Sequence, residues 1–272
     1  MGATMRHSID VDGRTRTYTL VEADSEDLLL VFHGSKQDGA KHRAFTGNAF
    51  DALATAGVAT VAYLDGYRGN WNDARRTSAF PARAENVDDV AFAHAVADQI
   101  KPRRVFAVGY SNGGQMVLRL MHETPALLSG AAVIAATMPE PDAFLFPDAP
   151  PAPMPLIIIH GTKDPITAYA GGEFPWWARK LFKVGGRSLS APDTAAYFAG
   201  RNGIHAAPST ARLGTMIEQT SYASPGRPPV SLYTVHGGGH TIPGPRNSPA
   251  IMGRTSHDAN TADLLADLIR AS

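Results

Sequence analysis

One serine in this 272-residue chain sits in a setting that changes its chemistry. Ser111 is the centre of Gly109-Tyr-Ser-Asn-Gly113, entered by the apolar run Val105-Phe-Ala-Val108 and left by the helical pattern Gly114-Gln-Met-Val-Leu-Arg-Leu-Met-His122. G-x-S-x-G alone arises often by chance, but between a strand and a helix it describes a nucleophile elbow. The turn is so tight that side chains at 109 and 113 collide with neighbouring elements, which explains both glycines. The positive end of the following helix favours a developing oxyanion. The alternative is a Gly/Ser loop that merely turns a strand into a helix, and the flanking pattern speaks against it.

A serine hydroxyl needs a base within about 3 Å, and a histidine base needs a carboxylate to orient it. On a strand-elbow-helix scaffold the acid and then the base follow the serine in the chain. Of ten histidines, His7, His33, His42 and His94 precede Ser111. His122 reads as a surface residue on the following helix, His160 lies in a His-Gly turn close to its own strand, and His205 has no special flanks. His236, His240 and His257 remain. His240 is favoured because Gly237-Gly-Gly-His-Thr-Ile-Pro-Gly244 leaves a strand in a glycine-rich loop that can place one imidazole over the carboxyl edge of a sheet. The acid is read from Leu156-Ile-Ile-Ile-His-Gly-Thr-Lys-Asp-Pro165: Asp164 lies just past a strand's carboxyl end, where catalytic groups gather in open α/β sheets. Asp164 as a turn cap before Pro165 is the plainer alternative; Asp142 and Asp148 lie in a proline-rich loop. An oxyanion hole takes two backbone N–H groups. Asn112 supplies one, and the turn His33-Gly34-Ser35 the other, from Ser35 first and Gly34 next, with His33 bracing the loop.

These residues need a scaffold, and the patterning supplies one. Ser8 to Val21 alternates about Asp12-Gly13 and predicts a hairpin. Leu28–Phe32, Val58–Tyr63, Arg104–Val108, Ala131–Ala136, Leu156–Ile159 and Val230–Val235 predict short apolar strands. Between them, Asn86 caps a predicted helix with Asp88 and Asp89 in its first turn and Phe92, Val96 and Ile100 on one face. Gly113–Glu123, Asp193–Ala199 and Ala259–Ile269 are further predicted helices. Apolar strands alternating with helices predict an α/β fold, a mainly parallel sheet with helices on both faces. The stretch Pro139 to Pro155, with seven prolines, reads as a long surface loop, so residues 1–272 are expected to form one domain.

Composition narrows the function. Twenty-five Lys+Arg balance 25 Asp+Glu, which argues against a nucleic-acid binder. With no cysteine there is no disulfide framework, zinc-thiolate site or cysteine nucleophile. No apolar run of about 18 residues predicts a membrane span. Met1-Gly-Ala-Thr-Met-Arg-His-Ser-Ile-Asp10 lacks the apolar stretch of a signal peptide, so the expectation is a cytoplasmic protein. Asp10-Val-Asp-Gly13 lacks the later ligands of a calcium loop, and no histidine–carboxylate spacing predicts a metal site.

Taken together, His33-Gly-Ser35, Trp71-Asn-Asp73, Val87-Asp-Asp-Val90, Gly109-Tyr-Ser-Asn-Gly-Gly114, His160-Gly-Thr-Lys-Asp-Pro165 and Gly237-Gly-Gly-His-Thr-Ile-Pro-Gly244 resemble, in order, the polyhydroxybutyrate depolymerase and feruloyl-esterase-like family of α/β-hydrolases. The resemblance runs from about residue 28 to 245. It implies the α/β-hydrolase fold and places the family's serine, aspartate and histidine on Ser111, Asp164 and His240. The chain departs from that family in lacking cysteine and in having Ile242 where a tryptophan is common.

The expected activity is cleavage of carboxylic esters by a Ser-His-Asp triad through an acyl-enzyme, with no cofactor and no metal. The substrate is a small-molecule or oligomeric ester; the oligomeric state is open. A polyhydroxybutyrate-type oligomer depolymerase, an acyltransferase or a peptidase could use the same three residues, and a catalytically silent binding protein is the non-enzyme alternative. The aromatics Tyr169, Phe174, Trp176, Trp177 and Phe182 suggest a small lid-like insertion at about 166–190 over Ser111. Trp71, Tyr110, Trp176 and Trp177 are the expected substrate-binding residues.

Overall fold

Strand placement follows the apolar runs closely. The computed structural model describes residues 4–272; residues 1–3, where the N-terminal reading begins, lie outside the described residues. Ten strands form one sheet: β1 (Thr4–Val11), β2 (Arg14–Val21), β3 (Asp27–Phe32), β4 (Thr60–Leu64), β5 (Arg104–Tyr110), β6 (Gly130–Ile134), β7 (Leu156–Gly161) and, beyond a separate two-stranded ribbon of β8 (Gly172–Glu173) and β9 (Arg187–Ser188), β10 (Ser209–Leu213), β11 (Ile217–Ser224) and β12 (Arg227–Val235). The spatial order is β1-β2-β4-β3-β5-β6-β7-β12-β11-β10. The six central strands from β4 to β12 are parallel, while β1, β2, β11 and β10 pair antiparallel at the two edges.

Side-chain alternation sorts the core into two layers. On β3, Leu28, Leu30 and Phe32 face one layer with Phe92, Val96, Leu120 and Phe198, whereas Leu29 and Val31 face the other with Leu53, Leu265 and Ile269. Helices α4 (Asp89–Ile100), α5 (Asn112–Glu123) and α7 (Ala191–Arg201) therefore cover one face, and α2 (Asp51–Thr55) and α8 (Thr261–Ala271) the other, while the short α1 (Gly39–Phe45) follows β3 and α3 (Pro81–Ala84) precedes α4 in the chain. Phe92 is fully buried, and its truncation to alanine is expected to cost about 3–5 kcal/mol.

The hairpin turns at Asp12 and Gly13, both at positive φ (51° and 71°), as a two-residue turn matched to strand twist requires. The cap of α4 differs from the sequence expectation. Asp88, not Asn86, is the N-cap, accepting from Ala91 N–H at 2.8 Å, while Asn86 turns the chain into the helix at φ 46°. An acceptor two residues nearer the first turn reaches the free amides, and asparagine tolerates the left-handed region. The helix predicted from Asp193 begins at Ala191, since Ser190 caps it and Pro192 suits its first turn.

Candidate active site

At the carboxyl end of β5 the chain reverses into α5 within a single residue. Ser111 sits at φ 54°, ψ −114°, a conformation that costs about 1–3 kcal/mol and is held by its surroundings. Its N–H donates to Ile134 O at 2.8 Å. A Cβ on Gly109 would lie 2.1 Å from Gly113 O, and one on Gly113 would lie 2.0 Å from Phe32 O, so only glycine fits at either position.

Asp164 follows β7 as predicted, and it is buried. Its Oδ1 accepts from the N–H groups of Ile166 and Thr167 at 2.8 Å each, which fixes the carboxylate plane. Its Oδ2 accepts from His240 Nδ1–H at 2.7 Å. Burial pushes this carboxyl upward, but the His240 ring, by charge and hydrogen bond, together with His160 and the Ile166 amide, outweighs burial and holds it below the ordinary range. A carboxylate kept ionised against an imidazole Nδ1 leaves Nε2 as the basic nitrogen.

His240 is set by backbone from both sides. Its N–H donates to Met252 O at 2.7 Å, and Gly239 N–H donates to Arg254 O at 2.9 Å. The glycine loop is required by crowding: a Cβ on Gly239 would fall 2.1 Å from Met252 O. Tyr110, the neighbour of Ser111, donates its hydroxyl to His240 O at 2.7 Å, and its ring centroid lies 5.1 Å from that of His240. The elbow and the histidine loop are thus tied at one rim of the sheet. Among the described residues, Ser111 Oγ makes no hydrogen bond to His240 in this arrangement; in unliganded sites this bond is often long and tightens as substrate binds.

The loop after β3 is built as a donor. His33 Nδ1–H donates to Gly34 O at 2.7 Å, Gly66 N–H donates to His33 Nε2 at 2.8 Å, and Trp71 Nε1–H donates to His33 O at 2.9 Å. His33 is therefore the expected brace, kept neutral by burial with its pKa lowered to about 4. Ser35 and Asn112 both line the cleft that contains Ser111. Gly34 N–H is already committed to Gln37 Oε1 at 3.1 Å, which corrects its expected place in the oxyanion hole.

The cleft, about 340 Å³ including its mouth, is walled by Phe174, Phe182 and Val184 from the 166–190 segment. The four expected substrate-binding residues are elsewhere. Trp71 is fully buried, its indole locking the His33 loop and its backbone N–H donating to Asn112 Oδ1 at 2.9 Å. Tyr110 is buried against His240. Trp176, at the start of α6 (Trp176–Phe182), is 73% exposed, and neither it nor Trp177 lines the cleft. The seven-residue helix turns Ala178 inward, while Phe174 and Phe182 at its ends meet the cleft.

Other histidines are accounted for. His122, expected at the surface, is buried, with Nδ1–H donating to Leu118 O and Nε2 2.8 Å from Tyr197 Oη. His257 contacts Gly244 O and Asn247 Oδ1, and exposed His236 lies 3.7 Å from Glu218. His160 Nε2–H donates to Thr167 O at 2.8 Å and stands 3.5 Å from Asp164 Oδ2. The sequence reading gives no role to that second histidine behind the carboxylate, nor to Arg75 and Gln115, two of the polar side chains of the cleft wall. Their signal was faint: an arginine two residues past Trp-Asn-Asp, and a glutamine one turn beyond the elbow serine.

A strained elbow, a buried His–Asp pair and a cleft at the carboxyl edge of a mainly parallel sheet define a hydrolase of the α/β-hydrolase class. The chain belongs to an esterase family of this class and is a carboxylic ester hydrolase; the family profile described as Phospholipase/Carboxylesterase matches residues 70–174. It is similar to the "Putative esterase NocK" of Nocardia uniformis subsp. tsuyamanensis, with 31% identity over 98% of this chain and 82% of that protein. It is also 26% identical to feruloyl esterase B of Piromyces equi over 78% of this chain, which spans only 39% of that protein. The poly(3-hydroxybutyrate) depolymerase of Bordetella parapertussis has a similar fold, with a TM-score of 0.54 and 17% identity over 88% of this chain and 86% of that one.

Proposed function

We propose that this hydrolase cleaves carboxylic esters through an acyl-enzyme on Ser111. The supporting observation is the buried 2.7 Å pair of His240 and Asp164 at the rim where Ser111 is held in its strained turn. Ser111 Oγ attacks the ester carbonyl while His240 Nε2 takes its proton, and the carbonyl π pair moves onto oxygen. The N–H groups of Asn112 and Ser35 hold that oxyanion. Collapse of the tetrahedral species breaks the bond to the alcohol oxygen, which leaves with the proton from His240. Water then repeats the sequence: His240 removes its proton, hydroxide attacks the acyl carbon, and Ser111 departs reprotonated. Asp164 stays ionised throughout, fixing the tautomer and stabilising the imidazolium.

Labelling with a fluorophosphonate followed by peptide mapping tests this reading. One adduct on Ser111, lost in Ser111→Ala together with hydrolysis of 4-nitrophenyl acetate, is the expected result. Ester hydrolysis that persists in Ser111→Ala would overturn it.

A further inference from the structure

Resting on the ester-cleaving reading, we propose that the preferred substrate carries a carboxylate, received by Arg75 on the cleft wall. Among the described residues, Arg75 is the one charged side chain lining the cleft beside Ser111; no aspartate or glutamate lines it. The residue is buried, so its guanidinium is largely stripped of water. Nε donates to Asp73 Oδ1 at 3.2 Å and Nη2 to Asp73 Oδ2. Nη1 makes no hydrogen bond to any described residue, which leaves its two N–H groups for a ligand.

Asp73 does not cancel the local charge. Arg83 Nη2 donates to the carbonyls of Asp73 and Arg75, and Arg83 Nε is buried without a partner. Arg83 thus has no carboxylate of its own within ion-pair reach among the described residues, while the Asp73 carboxylate that pairs with Arg75 is also occupied by Ser78 Oγ at 3.0 Å and Asn112 Nδ2 at 2.6 Å. The neighbouring cation Arg119 is answered separately by Glu123. An excess of one positive charge in a partly desolvated wall is costly until an anion meets it, and a planar carboxylate matches a guanidinium edge. The mouth repeats the sign. Lys36, next to Ser35, has its ammonium 5.6 Å from the Phe182 ring centroid, and Lys183 is exposed beside it; neither pairs with a described carboxylate. In a chain of zero formal charge this is a local feature. Gln115 Oε1, also on the wall, is a buried acceptor without a partner and repels a carboxylate, so the anion belongs on the Arg75 side.

The carboxylate could sit on the acid or the alcohol part of the ester, and paired substrates separate the two. The 4-nitrophenyl monoester of adipic acid is compared with 4-nitrophenyl hexanoate, and 4-acetoxybenzoate with phenyl acetate, on the full-length protein at low and high salt. In one pair the anionic ester is expected to show a kcat/KM about tenfold or more above its neutral counterpart, the size of one hydrogen bond to a charged group. Arg75→Gln is expected to bring that ratio near one while the neutral ester is still cleaved. Should loss of Asp73's partner unfold that variant, Asp73→Asn/Arg75→Gln removes both charges and gives the same readout. Lys36→Ala and Lys183→Ala, which keep the fold, should raise KM for the anionic ester alone, an effect that salt also produces. Neutral esters turned over faster in both pairs would overturn this inference while leaving the Ser111 mechanism intact. No turnover of any ester and no fluorophosphonate adduct would overturn both.

Discussion

Two buried carboxylates flank the same serine and do opposite work. Asp164 and Asp73 both have fully buried side chains, and each is held by several donors. Asp164 faces an imidazole, which can take and return a proton near neutral pH; Asp73 faces a guanidinium, which cannot. The proposed role of the first pair is proton exchange with Ser111 through His240. The second can only fix positions and set a field: through Asn112 Nδ2 and Ser78 it anchors the start of α5 and the loop of residues 71–78. A buried carboxylate is thus diagnosed by its partner rather than by its burial.

Substitutions separate the roles of the two carboxylates. The largest effect is expected at the reacting side: Ser111→Ala lowers kcat by about 10⁴-fold or more, and Asp164→Asn by about 10³–10⁴-fold with little change in melting temperature, measured with 4-nitrophenyl acetate. Asp73→Asn should invert the pattern. It leaves the Arg75 guanidinium buried and unpaired, so stability falls by about 3–5 kcal/mol in urea unfolding, with the larger loss in stability rather than in kcat.

Acid sharpens the contrast. Burial lowers the pKa of His33 and His122 to about 4 and that of His42 to about 3. The unfolded chain, with histidines near 6.5, binds more protons than the folded one, so stability falls as pH drops below about 6.5 and levels off near pH 4 to 3. Asp164 has a depressed carboxyl and adds its own loss only below the ordinary carboxylate range. Melting temperature against pH reads this out, and His42→Phe should flatten the curve. The smallest effect is expected at Trp176: its ring is exposed and off the cleft, so Trp176→Ala should change kcat/KM by less than about twofold and stability by less than about 0.5 kcal/mol.

How far the molecule could be read from its sequence follows from where physics leaves a periodic or stereochemical trace. The central strands are continuous apolar runs, and Gly109 and Gly113 are dictated by contacts near 2 Å, so the elbow was legible. Asp164 and His240 were legible because each follows such a strand. The edge strands β10 and β11 were not: both are mostly exposed or half-buried and their residues polar, so no apolar alternation marks them. The cleft wall was misread for a related reason. Trp71, Trp176 and Trp177 stand out in a sequence, but which aromatic meets the cleft depends on how a short helix packs. That packing put Phe174 and Phe182 inward and Trp176 into solvent. Arg75 leaves only a faint trace, two residues past Asp73, because spacing alone does not show that an arginine is buried against its carboxylate.

Ser111 is proposed to carry the acyl group while His240 moves the proton and Asp164, ionised throughout, holds the imidazole. Rapid-quench intact-mass analysis with 4-nitrophenyl acetate tests it most directly. A transient acetyl adduct mapped to Ser111 is expected, forming with the nitrophenol burst in the wild type and far more slowly in His240→Ala and Asp164→Asn. An adduct on another residue, or one whose rate is indifferent to both substitutions, would contradict it.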